Sequence, residues 1–133
     1  MREYVRHPAG VPIQLHHAGE DYPYMLQNVS LGGAACQGAH AIDVNTSVMV
    51  RMHLLRPVYE SAGRIVWCRE SHDQGYDLGI EFTGERNKDR LRMVEQISHI
   101  EHYRNEVRTM EGRNLDGEQA AREWVSIYTS EAP

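Results

Sequence analysis

The sequence has little cysteine, no long apolar run and a minority of basic residues, and each shortage removes a class of protein. Cys36 and Cys68 are the only cysteines, and they stand in separate segments without a CxxC spacing. A disulfide-dense scaffold is excluded; two reduced thiols are the expectation, and one disulfide or redox pair the alternative. No stretch approaches the ~18 apolar residues that a membrane helix requires. The first ten residues, MREYVRHPAG, contain no apolar core of a secretory signal. A cytoplasmic protein without membrane insertion is therefore expected. Basic residues are also in the minority, with 14 Lys and Arg against 19 Asp and Glu and a formal net charge of −5. Nucleic acid is usually met by a broad basic face, so no nucleic-acid partner is expected. A small anion stays open, because a few local arginines can grip phosphate on an acidic protein.

Signals for catalysis and metal binding are missing as well. Ser30 lies in NVSLGG rather than in a GxSxG elbow, and no Gly-Lys-Ser/Thr follows Gly32-Gly33. Among eight histidines, His99 and His102 fall on neighbouring helical positions that Glu95 could join, but HIEH is not HExxH. Asp77 and Glu81 read as solvent-facing charges of a strand. No catalytic residue, metal site or cofactor is expected.

What is present is a change of period. Before about residue 86, short alternating segments are separated by Gly, Pro, Asn and Asp turns. Strands are expected over Pro12–His16, Tyr22–Val29, Ala34–Cys36, Ser47–Leu55, Tyr59–Cys68 and Tyr76–Phe82, with a loop from Gly38 to Thr46. In SVMVRMHLL, Val48, Val50, Met52 and Leu54 share a face; in the next segment Gly63, Ile65 and Trp67 oppose Ala62, Arg64, Val66 and Cys68. Such a set suits a small antiparallel barrel, which closes its own edges. From about Asn87 the spacing turns helical, through Leu91, Val94, Ile97, Ile100, Tyr103, Val107 and Met110, and Gly112 suits the helix end. Asp116 and Gln119 form a capping box for a second helix carrying Ala120, Ala121, Trp124, Val125 and Tyr128. At 133 residues this is one domain, a barrel over 1–86 with a helical extension over 87–133.

Two motifs carry chemistry. Arg2 and Arg6 stand four apart ahead of the first strand; their guanidinium forks could hold phosphate or a guanine edge, or be ordinary solvated charges. Asn28 and Ser30 occupy alternate positions before Gly32-Gly33. That corner could offer an amide, a hydroxyl and backbone N–H groups to a base, or satisfy only its own turn.

Arg2-Glu3-Tyr4-Val5-Arg6 followed by Asn28-Val29-Ser30-Leu31-Gly32-Gly33 resembles the PilZ domain signature, RxxxR and then [D/N]xSxxG. YDLGIEF, residues 76–82, is similar to that family's closing strand, and the resemblance spans roughly residues 2–105. It implies a mainly β fold, a six-stranded antiparallel PilZ-type barrel followed by C-terminal α-helices. It also implies a stand-alone receptor for the second messenger cyclic di-GMP, concerned with biofilm and motility, that signals through an unidentified effector protein as a monomer or weak homodimer. The implied ligand contacts are Arg2, Arg6, Asn28, Ser30 and Gly33. Trp67 and Arg69 match a Trp-x-Arg pattern of some relatives; otherwise they read as a rim or core aromatic and a surface charge beside Glu70. Only Met1 precedes Arg2, whereas many members carry further arginines there; the departure implies weaker binding or a single ligand molecule, and an N-terminal segment that orders on binding. The alternative is a PilZ-fold scaffold for type IV pilus or motility machinery that binds no nucleotide.

Overall fold

The computed structural model describes residues 6–72, 74–84 and 88–128. Arg2 and the expected loose N-terminal segment lie outside the described residues, as does the 86/87 boundary. Six antiparallel strands form a closed barrel in the order β1-β2-β3-β6-β5-β4. The strands are β1 (His7–His17), β2 (Glu20–Val29), β3 (Gly33–Gly38), β4 (Ser47–Met52), β5 (Tyr59–Glu70) and β6 (Tyr76–Phe82), followed by helices α1 (Lys88–Glu111) and α2 (Gly117–Tyr128).

The first hairpin turns at Ala18 and Gly19, with φ of 53° and 79°, the left-handed pair of a two-residue turn that follows strand twist. Pairing with β2 extends β1 on both sides of the expected Pro12–His16. β4 stops at Met52, short of Leu55. The chain turns there, and Leu55 enters the core at 0% exposure while Leu54 stays at its margin. The Gln96 amide of α1 fastens this turn, accepting from Arg56 N at 3.3 Å and donating to Arg56 O at 2.6 Å. β5 runs two residues beyond Cys68, and β6 matches its expected bounds.

One continuous core joins barrel and helices: Val11, Leu15, Leu26, Val50, Met52, Ile65 and Leu78 line the barrel, and Met93, Val94, Ile97 and Ile100 of α1 pack onto them. The buried face of α1 differs from the expected stripe, since Leu91 and Met110 are exposed while Arg90, Met93 and Gln96 are buried. A one-dimensional apolar count cannot see that Arg90 and Gln96 find carbonyl partners there. Gly112 ends α1 with φ 69°. Asp116 and Gln119 cap α2 reciprocally, Gln119 N donating to Asp116 Oδ1 at 2.7 Å and Asp116 N to Gln119 Oε1 at 3.0 Å. Arg113 joins the helices through Glu123, whose carboxyl it holds below the usual carboxylate range. α2 begins backbone against backbone on β1: a Cβ on Gly117 would meet Gly10 O at 2.0 Å. Both cysteines are free thiols. No described helix is long and apolar enough to cross a membrane.

Candidate functional site

Asn28, Ala35, Gly79 and Trp67 are successive cross-strand partners on β2, β3, β6 and β5. At ~4.8 Å per strand the row spans about 14 Å of barrel surface. Bulges place both of its ends. Between Leu26 and Asn28, and again between Ile65 and Trp67, the register shifts by one residue. A bulge reverses the parity of the residues beyond it. Leu26 and Val29 are both core residues with Gln27 and Asn28 between them; likewise Ile65 and Cys68 pack inward with Val66 and Trp67 between. Trp67 therefore leaves the face of Gly63 and Ile65 on which strict alternation put it, and Cys68 takes the inward position.

The middle of the row is made of small residues. Ala35 and Gly79 contribute one methyl group between them, which leaves room for the Trp67 indole to lie over Gly79, with Asn28 on the far side of Ala35. Gly79 also seats the indole: a Cβ there would meet Trp67 Nε1 at 2.1 Å. Arg69, two residues on, stacks on the indole with its guanidinium carbon 4.9 Å from the ring centroid, a cation–π contact. At the opposite end Arg6 Nη1 donates to Asn28 Oδ1 at 2.6 Å. One guanidinium thus flanks each side. Beneath the row, burial and then the Asp77 charge push the Cys36 thiol up to about 12, far from a reactive thiolate.

Ser30 and Gly33 stand differently. Ser30 is 5% exposed, and its hydroxyl accepts from Gly32 N at 3.2 Å and Gly33 N at 3.3 Å. This is a serine turn serving its own backbone. A Cβ on Gly33 would meet Ile80 O at 2.3 Å, so the glycine permits close approach of β3 to β6. The structure brings Arg6 and Asn28 together, gathers Trp67 and Arg69 at the far end of the same row, and gives Ser30 and Gly33 the task of shaping the corner between β2 and β3.

Sequence reasoning missed Arg90. This α1 residue is 4% exposed; Nη1 donates to Leu31 O at 3.3 Å and Nη2 to Gly84 O at 3.1 Å, with the guanidinium 5.1 Å from the Phe82 ring centroid. It ties the NVSLGG corner to the helix. Its only local signal, an arginine in the first helical turn, is common to many solvated helices. Ala35 and Gly79 were equally silent, since small residues show their use only once their neighbours are in place. Among the described residues no group of three His, Cys, Asp or Glu is arranged to hold a metal ion.

No curated protein matches the sequence. Among solved structures the chain is similar to the PilZ domain of YcgR from Escherichia coli with c-di-GMP, at 16% identity and TM-score 0.65 over 84% of this chain and 98% of that one. It is similar to the Bacillus subtilis inhibitor of motility MotI/DgrA, at 17% identity and TM-score 0.64 over 76% of this chain and 51% of that one. It is also similar to the K. pneumonia MrkH–c-di-GMP complex, at 16% identity and TM-score 0.57 over 73% of this chain and 50% of that one. The chain thus spans about half the length of MotI and MrkH, and these likenesses bear on fold. The PilZ domain model matches residues 1–99. With six strands in a closed antiparallel barrel, Arg6 beside Asn28 of the NVSLGG corner, and that match over most of its length, the chain belongs to the PilZ domain family.

Proposed function

We propose that this protein is a cyclic di-GMP receptor that binds its ligand along the Asn28–Ala35–Gly79–Trp67 row and acts through a protein partner. The observation that carries the reading is the make-up of that row: small residues at its centre, a half-exposed indole lying over Gly79, and a guanidinium at either side. Cyclic di-GMP presents phosphates, which suit guanidinium forks, and flat guanines, which suit a half-exposed indole. Arg6 supplies one fork, already oriented by Asn28, and Arg2 would supply a second from the same motif. The Asn28 amide can both donate to and accept from a guanine edge. Trp67 and Arg69 form the stacking wall, and the Ser30–Gly33 turn keeps the corner in register. YcgR's PilZ domain and MrkH, both solved with c-di-GMP, favour this ligand. The protein is a receptor and not an enzyme, with cyclic di-GMP as ligand and no cofactor, and its place of action is the cytoplasm.

The route to a partner runs through β1. Arg6 directly precedes this strand, whose pairing with β2 shifts register between Pro8 and Val11. Within that irregularity Gly10 touches Gly117 at the start of α2. A ligand gripped by Arg6 acts on β1 four residues from that contact, and α2 carries the exposed Ile127 and Tyr128 beyond it. The coupling can be no larger than the ligand's preference between the two states.

Isothermal titration of cyclic di-GMP into wild type and Arg6→Ala tests the reading. The substitution should weaken binding by roughly 1.5–3 kcal/mol, the scale of a charged hydrogen bond lost. No heat from the wild type would sink the receptor reading and leave the scaffold alternative in its place.

A further inference from the structure

Asp77 on β6 is the direct cross-strand partner of Gln37 on β3 and of Arg69 on β5. Its side chain is 18% exposed, against 72% for Arg69. Carboxylate Oδ2 lies 3.7 Å from Arg69 Nε, whereas Oδ1 is buried and has no hydrogen-bond partner among the described residues. The neighbouring Gln37 amide donates to Ser71 Oγ instead. Carboxylate, guanidinium and indole therefore follow one another at one end of the row, with Arg69 in the middle.

This arrangement is a poor way to stabilise a barrel. A loose ion pair with an exposed arginine returns little, and a buried acceptor without a donor is a standing cost. It is a good way to aim a side chain. Arg69 has a long flexible stem in solvent, and its described contacts are the indole on one side and this carboxylate on the other. The indole is seated on Gly79, so it gives the guanidinium a defined plane to lie against.

We infer that Asp77 is a positioning residue: it biases the Arg69 guanidinium toward Trp67, so that indole and cation together present one aligned wall to a flat base. The ligand side of this inference rests on the receptor reading; the Asp77–Arg69–Trp67 geometry does not. Asp77→Asn removes the charge and keeps the shape. Trp67 and Trp124 are the only tryptophans, so in a Trp124→Phe background acrylamide quenching reports on Trp67 alone. The Trp67 indole N–H resonance, assigned with Trp67→Phe, gives the same information if that background folds poorly.

The expected result has three parts. Asp77→Asn leaves the melting temperature unchanged or raised, and it makes Trp67 more quenchable, or shifts its resonance, in the ligand-free protein. It weakens cyclic di-GMP binding about five- to tenfold, the scale of a modest pairwise coupling. Asp77→Glu recovers part of that loss, and in an Arg69→Ala background Asp77→Asn changes neither Trp67 nor affinity. The same loss of affinity in that background would show that Asp77 meets the ligand itself, and would overturn the inference. So would an unaltered Trp67 signal, or a lowered melting temperature. A wild type that binds no cyclic di-GMP overturns the receptor reading alone, and the ligand-free Trp67 signal still decides the positioning role.

Discussion

At the Asn28 end of the row, the Ser30 hydroxyl is spent on its own turn, Gly33 lies against the Ile80 carbonyl, and Arg90 reaches in from α1 to the Leu31 carbonyl. At the Trp67 end the indole is 37% exposed, rests on a glycine, and is backed by an arginine that is 72% exposed. The first end is closed by backbone and buried hydrogen bonds, which permit one geometry. The second is assembled from side-chain faces, which slide. A site built this way has a fixed reference edge and an adjustable one, and mutations at the two ends should separate folding from binding.

Adding one methyl group at each end is the sharpest way to break that contrast. Gly33→Ala drives a Cβ into the Ile80 carbonyl, which belongs to the β3–β6 ladder and cannot step aside. Urea unfolding should show a loss of about 3 kcal/mol, the upper range for overpacking. Gly79→Ala meets first the Trp67 ring, a half-exposed side chain that can swing into solvent. It should change stability by less than about 1 kcal/mol, within the small gain alanine brings to a strand, while displacing the indole and weakening the ligand. If Gly79→Ala proved the more destabilising, the contrast would be reversed.

Arg90→Ala comes next, with a loss of about 2 kcal/mol for two carbonyl partners and the Phe82 ring. Hydrogen exchange at the Gly32 and Gly33 amides should quicken, because the corner loses its tie to α1. The smallest pair sharpens the comparison further. Ser30→Ala should cost about 1 kcal/mol of stability, whereas Arg69→Ala should stay within about 0.5 kcal/mol yet weaken binding more than Ser30→Ala does. Equal effects of the two on both measurements would mean that both ends are held alike.

Much of this could be read along the chain. The six strands, the loop before β4 (though its expected first residue, Gly38, still pairs in β3), the Gly112 stop and the Asp116–Gln119 cap follow from local chemistry: alternation, φ preference and side chains bonding backbone a few residues away. The arginine and NVSLGG motifs marked one side of the site, and YDLGIEF supplied β6 to the residue. Less legible were the residues whose value depends on what lies opposite. Alternation puts Trp67 on the face of Ile65 because it assumes an unbroken ladder, and it favours Leu54 over Leu55 because the chain's turn after Met52 leaves no trace in the period. Asp77 reads along the chain as a surface charge, and Arg90 carries no signal of its own.

The sequence by itself determined the order and type of the elements and the identity of one end of the site, since those depend on contacts within a few residues. The tertiary structure alone decided that Asn28 and Trp67 look out from the same row, that Gly79 leaves room for the indole to lie over it, and that Gly10 and Gly117 let α2 touch β1. Each of these depends on register between strands or elements distant in sequence, and a single bulge, at Gln27 or at Val66, reverses which side chains point out of the barrel.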